Sequence, residues 1–192
     1  MKNLNELEIL LSKRKAKTRM LRRFMTRSSV ATILRDHEGE LQVLLIKRAQ
    51  KEGDRWSGHI AFPGGRAQQE DKNIRETAIR ETSEEIGLNL SVNDYIGRLS
   101  DLMTFAHGNR KPMVVSPYAF KLEGDPTFTI NHEVDQVIWL PVSFLEDRCN
   151  RETMRWEKKG VSVKLPCYFY GEHRIWGLTL KMLDELVFDL LG

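Results

Sequence analysis

The segment Arg80-Glu81-Thr82-Ser83-Glu84-Glu85-Ile86-Gly87-Leu88 lies downstream of a glycine-rich turn, Phe62-Pro63-Gly64-Gly65. The spacing between them predicts a helix over about 72–86, with Asp71 as its cap and Gly87 as its stop. On that helix, positions 81, 84 and 85 fall within an arc of roughly 100°, so the carboxylates face one way. Ile74 and Ala78 project beside Glu85, which puts the acids at the border of the buried stripe. Like charges this close repel, and near a helix C-terminus the dipole disfavours them further. A solvated acidic face neutralised by Arg75 and Arg80 is one resolution. The other is a hard divalent cation bound through oxygens. Mg²⁺ or Mn²⁺ suits a site made of carboxylates without Cys or His, and Gly64-Gly65 lets the backbone approach an ion or phosphate.

Working outward, 28–34 (SSVATIL) and 41–47 (LQVLLIK) read as strands joined at Asp36-His37-Glu38-Gly39, a hairpin. Further strands are expected near 92–100, 113–122 and 135–140, a short helix at 142–147 and a closing helix at 176–190. Residues 148–166 are charged and read as an irregular loop or insertion over the cleft. Strands and helices mingle without a βαβ rhythm, which predicts an α/β fold with a mixed sheet flanked by helices.

The 192 residues suit one domain with a short appendage, and 41% hydrophobic content argues against wholesale disorder. No apolar run reaches the roughly 20 residues of a membrane span. Two cysteines without metal-ligand spacing argue against a zinc ribbon or disulfide scaffold and favour a reducing, cytoplasmic setting. Charge is uneven. Residues 1–27 hold nine Lys and Arg against two Glu, a net of +7, so the other 165 residues sum to −4 within the total of +3. This stretch reads as a basic helical arm: solvated, or a surface for nucleic acid or acidic membrane, or an organelle-targeting presequence.

Gly65, Asp71, Arg80, Glu81, Glu84, Glu85 and Gly87 together resemble the Nudix box. Three positions depart from it: Asp71 replaces a Glu, eight residues instead of seven separate it from Arg80, and Thr82 fills an apolar slot. The departures, with Phe62-Pro63-Gly64-Gly65 and Leu44-Leu45-Ile46-Lys47-Arg48-Ala49, are similar to the coenzyme A pyrophosphatase branch. So are Val137-Ile138-Trp139-Leu140-Pro141 and Ile175-Trp176-Gly177-Leu178-Thr179.

The resemblance runs from about residue 28 to the C-terminus and implies an α/β/α sandwich around a mixed sheet. It implies Glu81 and Glu85 as ligands of Mg²⁺ or Mn²⁺ with the Gly64 carbonyl, Glu84 completing the cluster, and Arg80 orienting the carboxylates. Hydrolysis of a nucleoside diphosphate derivative follows, with coenzyme A or its thioesters as the leading substrate. ADP-ribose, dinucleotides or dinucleoside polyphosphates are the rival substrates, and a nucleic-acid-binding protein using the basic arm is the rival of another class.

The base that deprotonates the attacking water is expected to be Glu133, with an ordinary exposed loop acid as its plainer reading. Arg48 and Arg55 are candidates to grip phosphates. His59 and His107 are candidates to line the site. Trp56, Trp139, Trp156 and Trp176 are candidates to stack a base, with core packing the plainer reading for each.

Overall fold

The computed structural model describes residues 3–18, 24–53, 56–105, 112–158 and 160–191. Arg55 and His107 lie outside the described residues, as do 1–2 and 19–23 of the basic segment.

The hairpin forms as expected. Strand β1 (Thr26–His37) turns into β2 (Glu40–Arg48) through Glu38 and Gly39, whose φ values of 52° and 80° are what a two-residue hairpin turn needs. Val43-Leu44-Leu45-Ile46 is buried throughout, the pattern of a strand covered on both faces. Around this pair an eight-stranded sheet assembles from β3 (Ile60–Ala61), β4 (Gly64–Arg66), β5 (Tyr95–Arg98), β6 (Leu102–Phe105), β7 (Pro112–Lys121) and β8 (Val134–Pro141). β1 runs parallel to β7 and antiparallel to β2 and β4, so the sheet is mixed.

Helices cover both faces. Ala31, Ile33, Leu44 and Ile46 pack with Ala78 and Ile86 of α2 (Ile74–Ile86). Leu34, Val43 and Leu45 face the other way. There they meet α1 (Leu4–Lys13), α3 (Val142–Glu146) and α4 (Gly177–Asp184), the last continuing as π-type turns over Glu185–Leu191. This is the expected α/β/α sandwich.

Three expectations are corrected. Asp71 does not cap α2: Asn73 does, accepting from the Arg75 and Glu76 amides at 3.0 and 3.2 Å. Residues 148–166 are not irregular. They form β9 (Arg151–Lys158) and most of β10 (Val161–Tyr170), which with β11 (His173–Trp176) make a separate three-stranded antiparallel sheet. Charged side chains on both of its faces, Glu152 opposite Cys167 on one and Lys164 opposite Arg155 on the other, obscure its period of two in the sequence.

Finally, residues 4–13 are not a solvated arm. Leu4, Leu7 and Leu11 are buried in the main core, and Gly97 makes room for them: a Cβ there would stand 2.7 Å from Leu11 Cβ. Arg14 donates to Glu185 at 2.7 Å, and Lys121 pairs with Glu8 at 3.2 Å, so part of the segment's charge is spent inside the fold.

Leu7 is fully buried, so Leu7→Ala should lower unfolding free energy by about 2–5 kcal/mol in denaturant titration. A change within about 0.5 kcal/mol, as at surface sites, would restore the solvated reading.

Candidate active site

The two glycines of the turn are fixed by what they touch. Gly64 sits at φ 149° in β4, opposite Val30, where a Cβ would lie 2.2 Å from the Ser29 carbonyl oxygen. At Gly65 a Cβ would lie 2.3 Å from the carboxyl carbon of Glu81. The β1 backbone leaves no room for a side chain at Gly64, and one at Gly65 would displace the Glu81 carboxylate, which lies directly against the β4 backbone. The Gly64 amide donates to Glu85 Oε2 at 2.8 Å, and Ser28 Oγ donates to the Gly65 carbonyl at 2.6 Å.

The three box glutamates are graded in exposure as the wheel projection orders them. The Glu84 side chain is 53% exposed, that of Glu81 15% and that of Glu85 2%. Arg80 organises the outer part. Its guanidinium donates to Asp71 Oδ1 at 2.9 Å, to Glu81 Oε1 at 2.9 Å, to Glu84 Oε2 at 2.9 Å and to the Arg66 carbonyl at 3.2 Å. Asp71 also accepts from Thr77 Oγ1 at 2.8 Å and the Gln68 amide at 2.9 Å. Arg80 holds the Asp71 carboxyl down at about 2, so the anchor of this network stays charged. Arg75, the other proposed counter-charge, turns away and stacks 4.6 Å over the Tyr95 ring.

Burial pushes the Glu85 carboxyl up to about 7, against the Gly64 amide and Arg48, and Glu81 and Glu133 add repulsion. Burial raises Glu81 too, opposed by Arg80, with Glu84 and Glu133 again pushing upward. Glu133 is thus within electrostatic reach of both. The loop carrying it is pinned to the end of α2: the Thr129 and Asn131 amides cap the carbonyls of Ile86 and Glu85 at 3.0 and 2.9 Å. The Glu133 carbonyl is held by the Ala49 amide at 2.8 Å. Arg48 brings its Nη1 to 3.8 Å from Glu85 Oε1, facing the carboxylates.

Glu81, Glu84, Glu85, Glu133, Arg48 and the two glycines line one cleft of about 1310 Å³. His59 lines it as well, its ring edge-on to Trp176 at 5.2 Å. Trp56 and Trp156 are on its wall, but Trp139 is not, being packed under Arg35 and against Phe128. The lining also has an apolar part, Val30, Met113, Val115 and Leu178, with Val163 and Leu165 of β10. Sequence reasoning missed this second sheet and the capping role of 129–131.

The donor set suits a hard cation: carboxylate oxygens, one of them buried and short of positive partners. Among the described residues no three His, Cys, Asp or Glu side chains form a ready-made metal cage. An open arrangement of this sort accords with Mg²⁺, which keeps waters and substrate oxygens in its shell.

The titration of Glu85 has a stability consequence. Its folded value, about 7, exceeds the ordinary 4.5, so the folded state holds the proton more tightly than the unfolded chain. The resulting penalty is absent below pH 4.5, grows as pH rises, and is complete above about 7. In chelator, Glu85→Gln should therefore gain stability over the native chain across that window, by a few kcal/mol on the order of the shift. Parallel pH curves for the two proteins would contradict it.

Comparisons with known proteins follow the geometry. A family model described as NUDIX domain matches residues 25–162. The peroxisomal coenzyme A diphosphatase ndx-8 of Caenorhabditis elegans is 39% identical over 170 residues, 86% of this chain and 69% of that protein. The mitochondrial coenzyme A diphosphatase NUDT8 of Homo sapiens is 31% identical over 153 residues, 78% of this chain and 63% of that protein. A crystal structure of a MutT/nudix family protein from Enterococcus faecalis superimposes with a TM-score of 0.60 at 18% identity, over 98% of this chain and 70% of that one. The family model covers most of the chain, and the chain belongs to the Nudix family of pyrophosphohydrolases.

Proposed function

We propose that this enzyme cleaves the pyrophosphate of coenzyme A or its thioesters, giving 3′,5′-ADP and a 4′-phosphopantetheine product. One observation carries the reading: the cleft is lined both by carboxylates and by a cluster of apolar side chains. A pyrophosphate needs the first, and an extended, weakly polar arm ending in a thiol or thioester suits the second. ADP-ribose, NADH and diadenosine polyphosphates carry sugars or bases on both sides and would leave Met113, Val115 and Leu178 facing polar groups. Similarity to proteins named coenzyme A diphosphatases supports the same choice.

Glu81 and Glu85 would hold Mg²⁺ or Mn²⁺, which supplies neutralisation of the pyrophosphate charge and acidifies the attacking water. The Gly64 carbonyl would join them as a neutral ligand. Arg80 keeps Glu81 and Glu84 in fixed rotamers through its shared guanidinium. Glu133, on its pinned loop, takes the proton from water; the Asn131 side chain fixes its backbone by accepting from its amide at 2.8 Å. Arg48 faces both the acids and the cleft, a position from which its fork meets a substrate phosphate. His59 stands beside it through the hydrogen bond from the Arg48 amide to the His59 carbonyl at 3.0 Å. As for compartment, relatives named for mitochondria and peroxisomes make an organelle as consistent with this reading as the cytosol.

Chromatography of products from coenzyme A, ADP-ribose, NADH and a diadenosine polyphosphate, with Mg²⁺ or Mn²⁺, tests the substrate. Preferential release of 3′,5′-ADP from coenzyme A is expected, and preference for any of the others overturns it. Chelation should abolish turnover and re-addition restore it. Glu133→Gln should lower kcat by about 10²–10⁴-fold with KM little changed, and a near-normal kcat would remove Glu133 as the base.

A further inference from the structure

The second sheet brings a group to the cleft that the reaction above does not use. On β11, Ile175 is buried, and Arg174 and Trp176 point to the opposite face together, as alternate residues of a strand must. Both line the main cleft. Both also line a smaller adjoining pocket of about 280 Å³, with Lys47, His59, Phe169 and His173. The guanidinium of Arg174 is set by the Trp176 ring, 5.9 Å from its centroid. Across the ladder Arg174 stands opposite Phe169, whose side chain closes the pocket's apolar side.

The shared wall is firmly placed, since Thr179 Oγ1, just beyond Trp176, donates to the Ile60 carbonyl at 2.9 Å. Charges around the pocket are divided unequally. Lys47 is held by Asp135 at 2.8 Å and feels Glu172 besides. Arg174, by contrast, makes no salt bridge among the described residues. Its donors are left for a ligand, and His59 and His173 line the same pocket.

We infer that Arg174, at the junction of cleft and side pocket, binds a phosphomonoester on the ribose of the substrate nucleotide, with His59, His173 and Lys47 around it and Trp176 as the platform for the base. The inference rests on the coenzyme A reading, in which the nucleotide half carries such a phosphate in addition to the pyrophosphate. It also orients the substrate: the nucleotide lies toward β11, and the other half lies along Met113, Val115 and Leu178. A planar guanidinium fork matches a terminal phosphate, so this residue selects between nucleotides that have the group and those that lack it.

The test is the ratio of kcat/KM for coenzyme A to that for dephospho-coenzyme A, with Mg²⁺, in the native enzyme and in Arg174→Gln. The native enzyme should favour coenzyme A by about tenfold or more, chiefly through KM, and the variant should bring the ratio close to one. A merely structural role for Arg174 would slow both substrates alike and leave the ratio where it was. An even native preference, or a ratio untouched by Arg174→Gln, overturns the subsite and leaves the coenzyme A reading standing. Cleavage of neither compound, with ADP-ribose or a dinucleotide used instead, overturns that reading and the subsite with it.

Discussion

The hydrogen bond from the Gly64 amide to Glu85 is the contact on which the site depends. A carboxylate that is 2% exposed cannot be solvated by water, and Gly64 provides one directed donor while Arg48 provides a cation at 3.8 Å. Neither suffices to bring its proton affinity down to normal, and two neighbouring glutamates raise it further. The fold holds a charge where charge is expensive. Such an arrangement is stable only with the rest of the structure imposing it.

That imposition runs through the backbone. Two successive residues without side chains seat β4: a Cβ at Gly64 would meet the Ser29 carbonyl of β1, and a Cβ at Gly65 would meet the Glu81 carboxyl of α2. β4 in turn is held by β1, the strand that also carries the only parallel pairing described, to β7. The helix end is closed by amides of 129 and 131, and the same loop delivers Glu133 to the acids. One set of hydrogen bonds therefore does two things: it satisfies carbonyls that a helix terminus leaves open, and it brings in a carboxylate from a distant part of the chain.

The cleft is asymmetric for a related reason. Part of its lining is the polar border of α2; another part is apolar and comes from β7, β10 and α4. A ligand filling it meets both strong charge and apolar surface, with Arg174 and Trp176 besides. The N-terminal helix lies on the far face of the main sheet, in the core with the closing helix, and takes no part in lining this cleft.

The sequence by itself determined the parts governed by local rules. Contiguous aliphatics and a Glu-Gly turn specified the β1–β2 hairpin, and three- and four-residue spacing specified α2. The same spacing ordered the burial of Glu84, Glu81 and Glu85, because rotation about a helix axis depends on position alone. Leu4, Leu7 and Leu11 already carried a helical stripe, but the charge around them suggested water, and only the tertiary structure supplied Gly97 and the core that covers them. Asp71 was visible as a capping type, yet Asn73 took that place while Asp71 pairs with Arg80, nine residues on. The β9–β11 sheet, Glu133 at the acids and Arg174 at the side pocket were decided by packing between elements far apart in the chain. No periodicity within a segment records such contacts, since what selects them is the surface another segment presents.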